Sequence, residues 1–290
     1  MHTTLDCLDC LVRQSLRVSR MVTDDRGAHQ EIMHRVLVHL SGADLSRSPT
    51  EISSTIYRII HEVGGSVDPY EEIKRRFNDL ALDMLPGLER RLAAAADPWD
   101  AAVRLALAGN IIDFGGGRDV KARDVLETVE ASFLDPISGM SPADARLHVD
   151  RAGSILYVGD NAGEIVFDRL LVERIGPEKI TFVVRGSPII NDATISDARA
   201  AGLTDLVRVI DTGWDGPGAP PHRCGPAFTE ALETASLVIA KGQGNYETMS
   251  EVTRPILFLL RAKCPVVADH IGVAHGAMVI SGRNLHVDRT

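Results

Sequence analysis

The chain has 290 residues and a formal charge of −9, with 44% hydrophobic, 24% charged and only 4% aromatic residues. That length carries one large or two modest domains with ample core, while the acidic balance and scarcity of rings argue against a polyphosphate backbone or stacked single-stranded bases as partners. No basic-then-apolar leader opens the sequence, no apolar run approaches the roughly 20 residues that cross a bilayer, and four cysteines make no disulfide framework, so a cytoplasmic protein is expected.

Apolar spacing over residues 5–22 and 30–41 predicts two helices. Cys7 and Cys10 fall in the first, three apart and therefore on one face. A lone pair lacks the two further ligands of a structural zinc, so a packing or domain-docking role is favoured over a metal or redox one. Four helix starts follow, each with a capping side chain, a proline and an acid: Ser48-Pro49-Thr50-Glu51, Asp68-Pro69-Tyr70-Glu71, Asp97-Pro98-Trp99-Asp100 and Ser141-Pro142-Ala143-Asp144. They predict an all-helical domain over residues 1–150. Near its middle, Asn110 and Asp113 precede Gly115-Gly116-Gly117. They read either as ordinary helix-end residues or as groups reaching a substrate across a cleft.

Residues 151–290 alternate. β-rich runs stand at 155–158, 180–184, 206–210, 237–240, 265–268 and 277–280, and helical patterns at 163–175, 192–201, 227–235 and 247–262. The expected fold is α/β, a Rossmann-like, mostly parallel sheet with helices on both faces. The glycine- and proline-rich stretch 213–226 is a long loop and a candidate lid.

Parallel strands deliver the residues after their carboxyl ends to one edge, where open α/β sheets bind ligands. Those residues are Asp160 and Asn161, Arg185 with Asn191 and Asp192, Asp211, the run 241–245, and Asp269-His270. Asp160, Asn161 and Asp192 offer hard oxygen donors suited to Mg²⁺ or Mn²⁺. Lys241 and Lys263 are candidate anion binders, which with a metal is the equipment of phosphate-ester hydrolysis. Each has a plainer reading: Asn161 and Glu164 as a capping box, Asp192 as a helix cap, Lys241 as a solvated lysine, Cys264 as a small buried hydrophobe. Dinucleotide and P-loop glycine fingerprints are absent, as is a glycine-flanked nucleophilic serine.

Gly-Asp-Asn-Ala-Gly-Glu at 159–164, Asn191-Asp192-Ala193-Thr194, the run Lys-Gly-Gln-Gly-Asn-Tyr-Glu-Thr at 241–248 and Lys263-Cys264-Pro265-Val266 resemble the damage-control phosphatase family, which also contains acidic-residue methyltransferase-like proteins. Cys7-Leu8-Asp9-Cys10 resembles the amino-terminal cysteine pair of one prokaryotic branch, and the resemblance extends through 69–74 and 109–115. It implies a helical domain joined to a Rossmann-like domain, and phosphatase activity supported by Co²⁺, Ni²⁺, Mn²⁺ or Mg²⁺. By the same resemblance the metal ligands fall on Asp160, Asn161 and Asp192, and substrate-binding groups on 241–246, including Lys241 and Asn245, and on Lys263. Asn110 and Asp113 become candidates for substrate contact. Gly244 and Tyr246 stand where alanine and phenylalanine are expected.

The expectation is a metal-dependent phosphatase for a small phosphorylated metabolite such as a sugar phosphate, with Asp160 and Lys241 as catalytic groups. The alternatives are an S-adenosylmethionine-dependent methyltransferase and a non-catalytic metal-binding module. A methyltransferase would favour an acidic ribose-binding residue after the second strand, where Arg185 stands.

Overall fold

The computed structural model describes residues 1–65, 68–111 and 122–285. Six helices come first: α1 (Leu5–Val22), α2 (Arg26–Ser41), α3 (Pro49–Gly64), α4 (Glu71–Ala94), α5 (Pro98–Ile111) and α6 (Ala122–Leu134). Their starts follow the capping chemistry. Ser48 and Glu51 form a reciprocal capping box with Pro49 at the first turn of α3, and the Asp97 carboxylate accepts from the backbone N–H groups of Trp99 and Asp100. The Asp68 carboxylate takes the Tyr70 N–H instead, and α4 begins one residue later.

A short strand, β1 (Ile137–Gly139), then precedes α7 (Pro142–Arg151), so the stretch expected to be all helical contributes one strand. Beyond it come β2 (Ile155–Val158), α8 (Glu164–Ile175), β3 (Ile180–Val184), α9 (Ile195–Ala200), α10 (Leu203–Leu206) and β4 (Arg208–Asp211). The chain closes with α11 (Pro226–Thr234), β5 (Leu237–Lys241), α12 (Gly242–Met249), β6 (Ile256–Arg261), α13 (Pro265–Ile271) and β7 (Met278–Arg283). The sheet order is β1-β7-β6-β5-β2-β3-β4, and every neighbouring pair is parallel except β6 with β7. The mostly parallel, Rossmann-like sheet behind a helical amino-terminal part is as expected.

Two expected elements exchange type. The helix expected over 247–262 ends at Met249, and Ile256–Arg261 is a strand. The strand expected over 265–268 is the start of α13. An apolar run buried on both faces has no polar alternation to mark it as a strand, and periodicity alone does not separate it from a buried helix. At 265–268 the proline at the first helical turn outweighs the two valines. The exchange moves Lys263 to the residues just after β6, at the same sheet edge as Asp160, and moves Asp269-His270 into a helix.

One core spans both parts of the chain. Helix α5 is buried from Ala101 to Asn110 apart from Arg104, and its leucines share a cluster with Phe167 of α8 and with Tyr157 and Ile239 of the sheet. Among the described residues no helix is long and apolar enough to cross a membrane.

Candidate active site

Two loops at the carboxyl ends of β2 and β3 build the centre of the site, stitched together by main-chain hydrogen bonds. Ala162 N–H donates to Asn191 O at 2.9 Å, Ala193 N–H to Asp160 O at 2.8 Å, and Arg185 N–H to Ala193 O at 2.8 Å. Asn161 and Asp192 form an isolated bridge between the loops. The plainer readings of these residues drop out. Helix α8 begins after Gly163 without a side-chain cap, and α9 is capped by Thr194 with Asp197, so neither Asn161 nor Asp192 caps a helix. In the second loop Ile190 sits at φ 47, a conformation a β-branched residue adopts only when its surroundings impose it.

Asp160, Asn161 and Asp192 face one cavity of about 770 Å³, within the usual range for small-ligand sites. Arg185, fully buried, binds both carboxylates: its Nε donates to Asp192 Oδ2 at 2.5 Å and one terminal nitrogen to Asp160 Oδ1 at 3.2 Å. Asp160 Oδ2 accepts from the Asn110 and Asn161 amides at 3.1 and 2.9 Å. Both amides also donate to Glu164 Oε2. Burial first, then the negative charges of Asp192 and Glu164, push Asp160 well above the usual carboxylate range. Burial raises Asp192 too, against the pull of Arg185.

Lys241 does not face the cavity. Its ammonium is wholly buried and donates to Ala106 O at 2.9 Å, Glu164 Oε1 at 2.7 Å and Asp168 Oδ1 at 2.6 Å. Asp168 also accepts from Tyr157 OH at 2.9 Å. Burial opposes the charge on Glu164, but Lys241 and the two amides hold its carboxyl below the ordinary value. Asp168 is pushed up by burial to about 7. The expected role of Lys241 as a direct anion clamp and catalytic group is therefore corrected: all its reach is spent on a buried cluster. Asn245 is also drawn into main-chain contacts through its nitrogen. Its amide nitrogen donates to Gly159 O at 3.0 Å and Lys241 O at 2.7 Å, which pins the β2 turn to α12, while its Oδ1 is buried with no hydrogen-bond partner among the described residues.

Lys263 is an exposed residue on the cavity wall, near enough to Asp160 to favour that carboxylate's charge. Asn110 also lines the cavity, whereas Asp113 lies outside the described residues. Asp211 only accepts from the Gly213 N–H in a tight turn. The 213–226 loop sends Pro217 and Gly218 to the cavity rim and is tied to α3 by Arg58–Asp215 and by His222–Glu51.

Three cysteines lie at the cavity. Cys7 and Cys10 of α1 line it together with Cys264 at the start of α13, and all three are free thiols. Sequence reasoning placed Arg185 at this edge without giving it a role, read Glu164 as a capping partner, and missed Asp168 altogether. Glu164 and Asp168 stand four apart on α8, hence on one face; two acids there, behind a strand-end aspartate, are the signal for a buried cation.

The donor set fits a hard divalent ion. Burial and repulsion between neighbouring carboxylates raise Asp160 and Asp192 despite Arg185, and a divalent ion between them would supply the charge that lets both ionise. Among the described residues no three His, Cys, Asp or Glu side chains are arranged around one point, so the third protein donor would be the Asn161 amide oxygen. Hard ions accept such oxygen donors together with water. A cofactor ribose, by contrast, would meet the buried Arg185 at the end of β3, where a methyltransferase favours an acid.

Residues 3–279 match the family model described as the damage-control phosphatase ARMT1-like domain. The chain belongs to this family. Its relatives include a protein of Archaeoglobus fulgidus named damage-control phosphatase, 37% identical over 281 residues and covering 94% of this chain and 96% of that one. A Pyrococcus horikoshii protein, also named damage-control phosphatase, is 35% identical over 289 residues, covering 96% of this chain and 97% of its own. A crystal structure of a family member from P. horikoshii superposes with a TM-score of 0.89 at 34% identity, over 98% of this chain and 100% of that one.

Proposed function

We propose that this damage-control phosphatase hydrolyses the phosphate monoester of a small metabolite, such as a sugar phosphate, using a divalent ion held by Asp160, Asn161 and Asp192. Family membership carries the phosphatase activity. The observation that carries the site is the meeting of two carboxylates and an exposed lysine at one end of a cavity large enough for a metabolite. Mn²⁺ and Mg²⁺ suit the oxygen donors, and the family resemblance adds Co²⁺ and Ni²⁺ as ions to test. Such an ion supplies Lewis acidity toward the phosphoryl group and the attacking water.

The chain's own residues do the rest. Arg185 keeps the Asp160 and Asp192 carboxylates apart and oriented. Asn110 and Asn161 fix the Asp160 rotamer through Oδ2. Lys241 acts as a positioning residue: it neutralises Glu164, whose carboxylate in turn holds those two amides. Lys263 offers its ammonium to the phosphoryl oxygens, where charge develops in the transition state. The test is turnover of 4-nitrophenyl phosphate by the purified protein with each ion added and with chelator, followed by a panel of phosphorylated metabolites. No turnover with any ion would overturn the reading.

A further inference from the structure

Helix α12 runs along the cavity wall. At its amino end Gly242 abuts Asp160, where an added Cβ would stand 1.8 Å from Oδ2. Further along the same helix Gln243, Gly244 and Glu247 line the cavity. Glu247 is five positions beyond Gly242, a rise of about 7.5 Å along the axis. It thus lines the same cavity as Asp160 and Asp192, from a point further along the helix whose first residue abuts Asp160.

Glu247 is buried, yet among the described residues no lysine or arginine forms an ion pair with its carboxylate. Its Oε1 accepts from Gln243 Nε2 at 3.0 Å. Burial pushes the carboxyl up to about 7, against the opposing pulls of Gln243, the amino-terminal ammonium and the Thr50 backbone. Around it stand Cys10 of α1 and that ammonium, which donates to the Glu247 main-chain oxygen at 2.9 Å and pairs with Glu251, while Glu51 of α3, its partner His222 and Glu251 line a second pocket that Glu247 also borders. The phosphatase chemistry outlined above leaves this carboxyl unused. A metabolite phosphate has an alcohol as its leaving group, and an alkoxide leaves poorly unless it is protonated as the bond breaks.

Resting on the phosphatase reading, we infer that Glu247 is the general acid, which protonates the leaving alkoxide of an alkyl phosphate. The oxygen of water bonds to phosphorus as the P–O(alkyl) bond breaks. The Glu247 proton goes to the departing oxygen, and the proton lost by water re-protonates the carboxylate. The products are an alcohol and inorganic phosphate. A carboxyl that titrates close to the working pH is well matched to this task.

The test compares kcat/KM of the wild type and Glu247→Gln on 4-nitrophenyl phosphate, phenyl phosphate and glycerol 3-phosphate with Mn²⁺ added. Gln keeps the size and the contact to Gln243 but carries no transferable proton. The loss is expected to grow with the basicity of the leaving group, reaching about 100-fold or more on the alkyl ester and much less on the nitrophenyl ester, whose anion leaves unaided. In the wild type, activity on glycerol 3-phosphate should fall above a pH of about 7, and activity on 4-nitrophenyl phosphate should not. If Glu247→Gln does not fold, this pair of wild-type profiles decides. An equal loss on all three esters, no loss on any, or the same alkaline limb for both esters overturns the assignment. Failure of the wild type to hydrolyse any of the three with any ion overturns the phosphatase reading itself, and the assignment with it.

Discussion

Gly242 stands against the Asp160 carboxylate, so close that a Cβ at residue 242 would lie 1.8 Å from Oδ2. The glycine is also at φ 74, where a side chain is strained in any case. Gly242→Ala must therefore move either the β5–α12 turn or Asp160. A displacement of about 1 Å in such a group costs about a hundredfold in rate. We expect Gly242→Ala to lower kcat/KM by that order and to weaken Mn²⁺ binding, both measurable by kinetics and calorimetric titration. Wild-type values would show that the turn absorbs the methyl group.

Asp160→Ala removes one of the oxygen donors from a crowded carboxylate cluster. Because Asp192 and Glu164 already oppose its charge, the protein should stay folded, with a thermal midpoint close to that of the wild type. Metal-dependent phosphatase activity should be abolished and the calorimetric Mn²⁺ signal lost. Full activity in a verified, folded variant would remove Asp160 from the site.

Lys241→Met tests the buried cluster. It leaves Glu164 and Asp168 without their cation, and breaking a buried pair in this way costs about 3–5 kcal/mol. The sign of the pH effect follows from Asp168. Its folded-state pKa, about 7, lies above the ordinary value of 3.8, so the folded state binds the proton more tightly and this group's contribution falls as pH rises through that window. Without Lys241 the window widens upward. Denaturant melts of the variant should show the deficit at pH 8 and partial recovery near pH 5. A uniform deficit would mean that it arises from packing rather than charge.

Cys10 offers a probe of the cavity wall. Partial burial, and after it the neighbouring Cys264, push its thiol above the ordinary value, so alkylation by iodoacetamide should still be accelerating at pH 9. Because Cys10 lines the cavity, the adduct should block turnover, and Cys10→Ser should protect against that inactivation. Modified protein with unaltered kinetics would place the thiol outside the path of the substrate.

The strand-end aspartates were legible because main-chain topology alone decides where the residues after β2 and β3 go. Asp160, Asn161 and Asp192 meet as the sequence suggested. Lys241 was legible in position but not in direction. It ends its strand as expected, yet its side chain turns inward to α8, and only the identities of Glu164 and Asp168 one helical turn apart could have indicated that. The wall beside α1 was illegible: nothing in the spacing of Cys7 and Cys10 says that α1 lines the cavity together with Cys264, 254 residues beyond Cys10. The β6 and α13 exchange has the same origin, since burial on both faces erases the alternation from which strands are read.

The hydrogen bond from Lys241 to Ala106 O has a consequence for how the polypeptide can be divided. The carbonyl comes from α5 in the helical part, the ammonium from β5 and the carboxylates from α8, all within one shared core. Severed near residue 150, the two pieces would behave as obligate halves of a heterodimer. Each would be prone to aggregate alone, and activity would return only on complementation, when both are present to close the charge cluster between them.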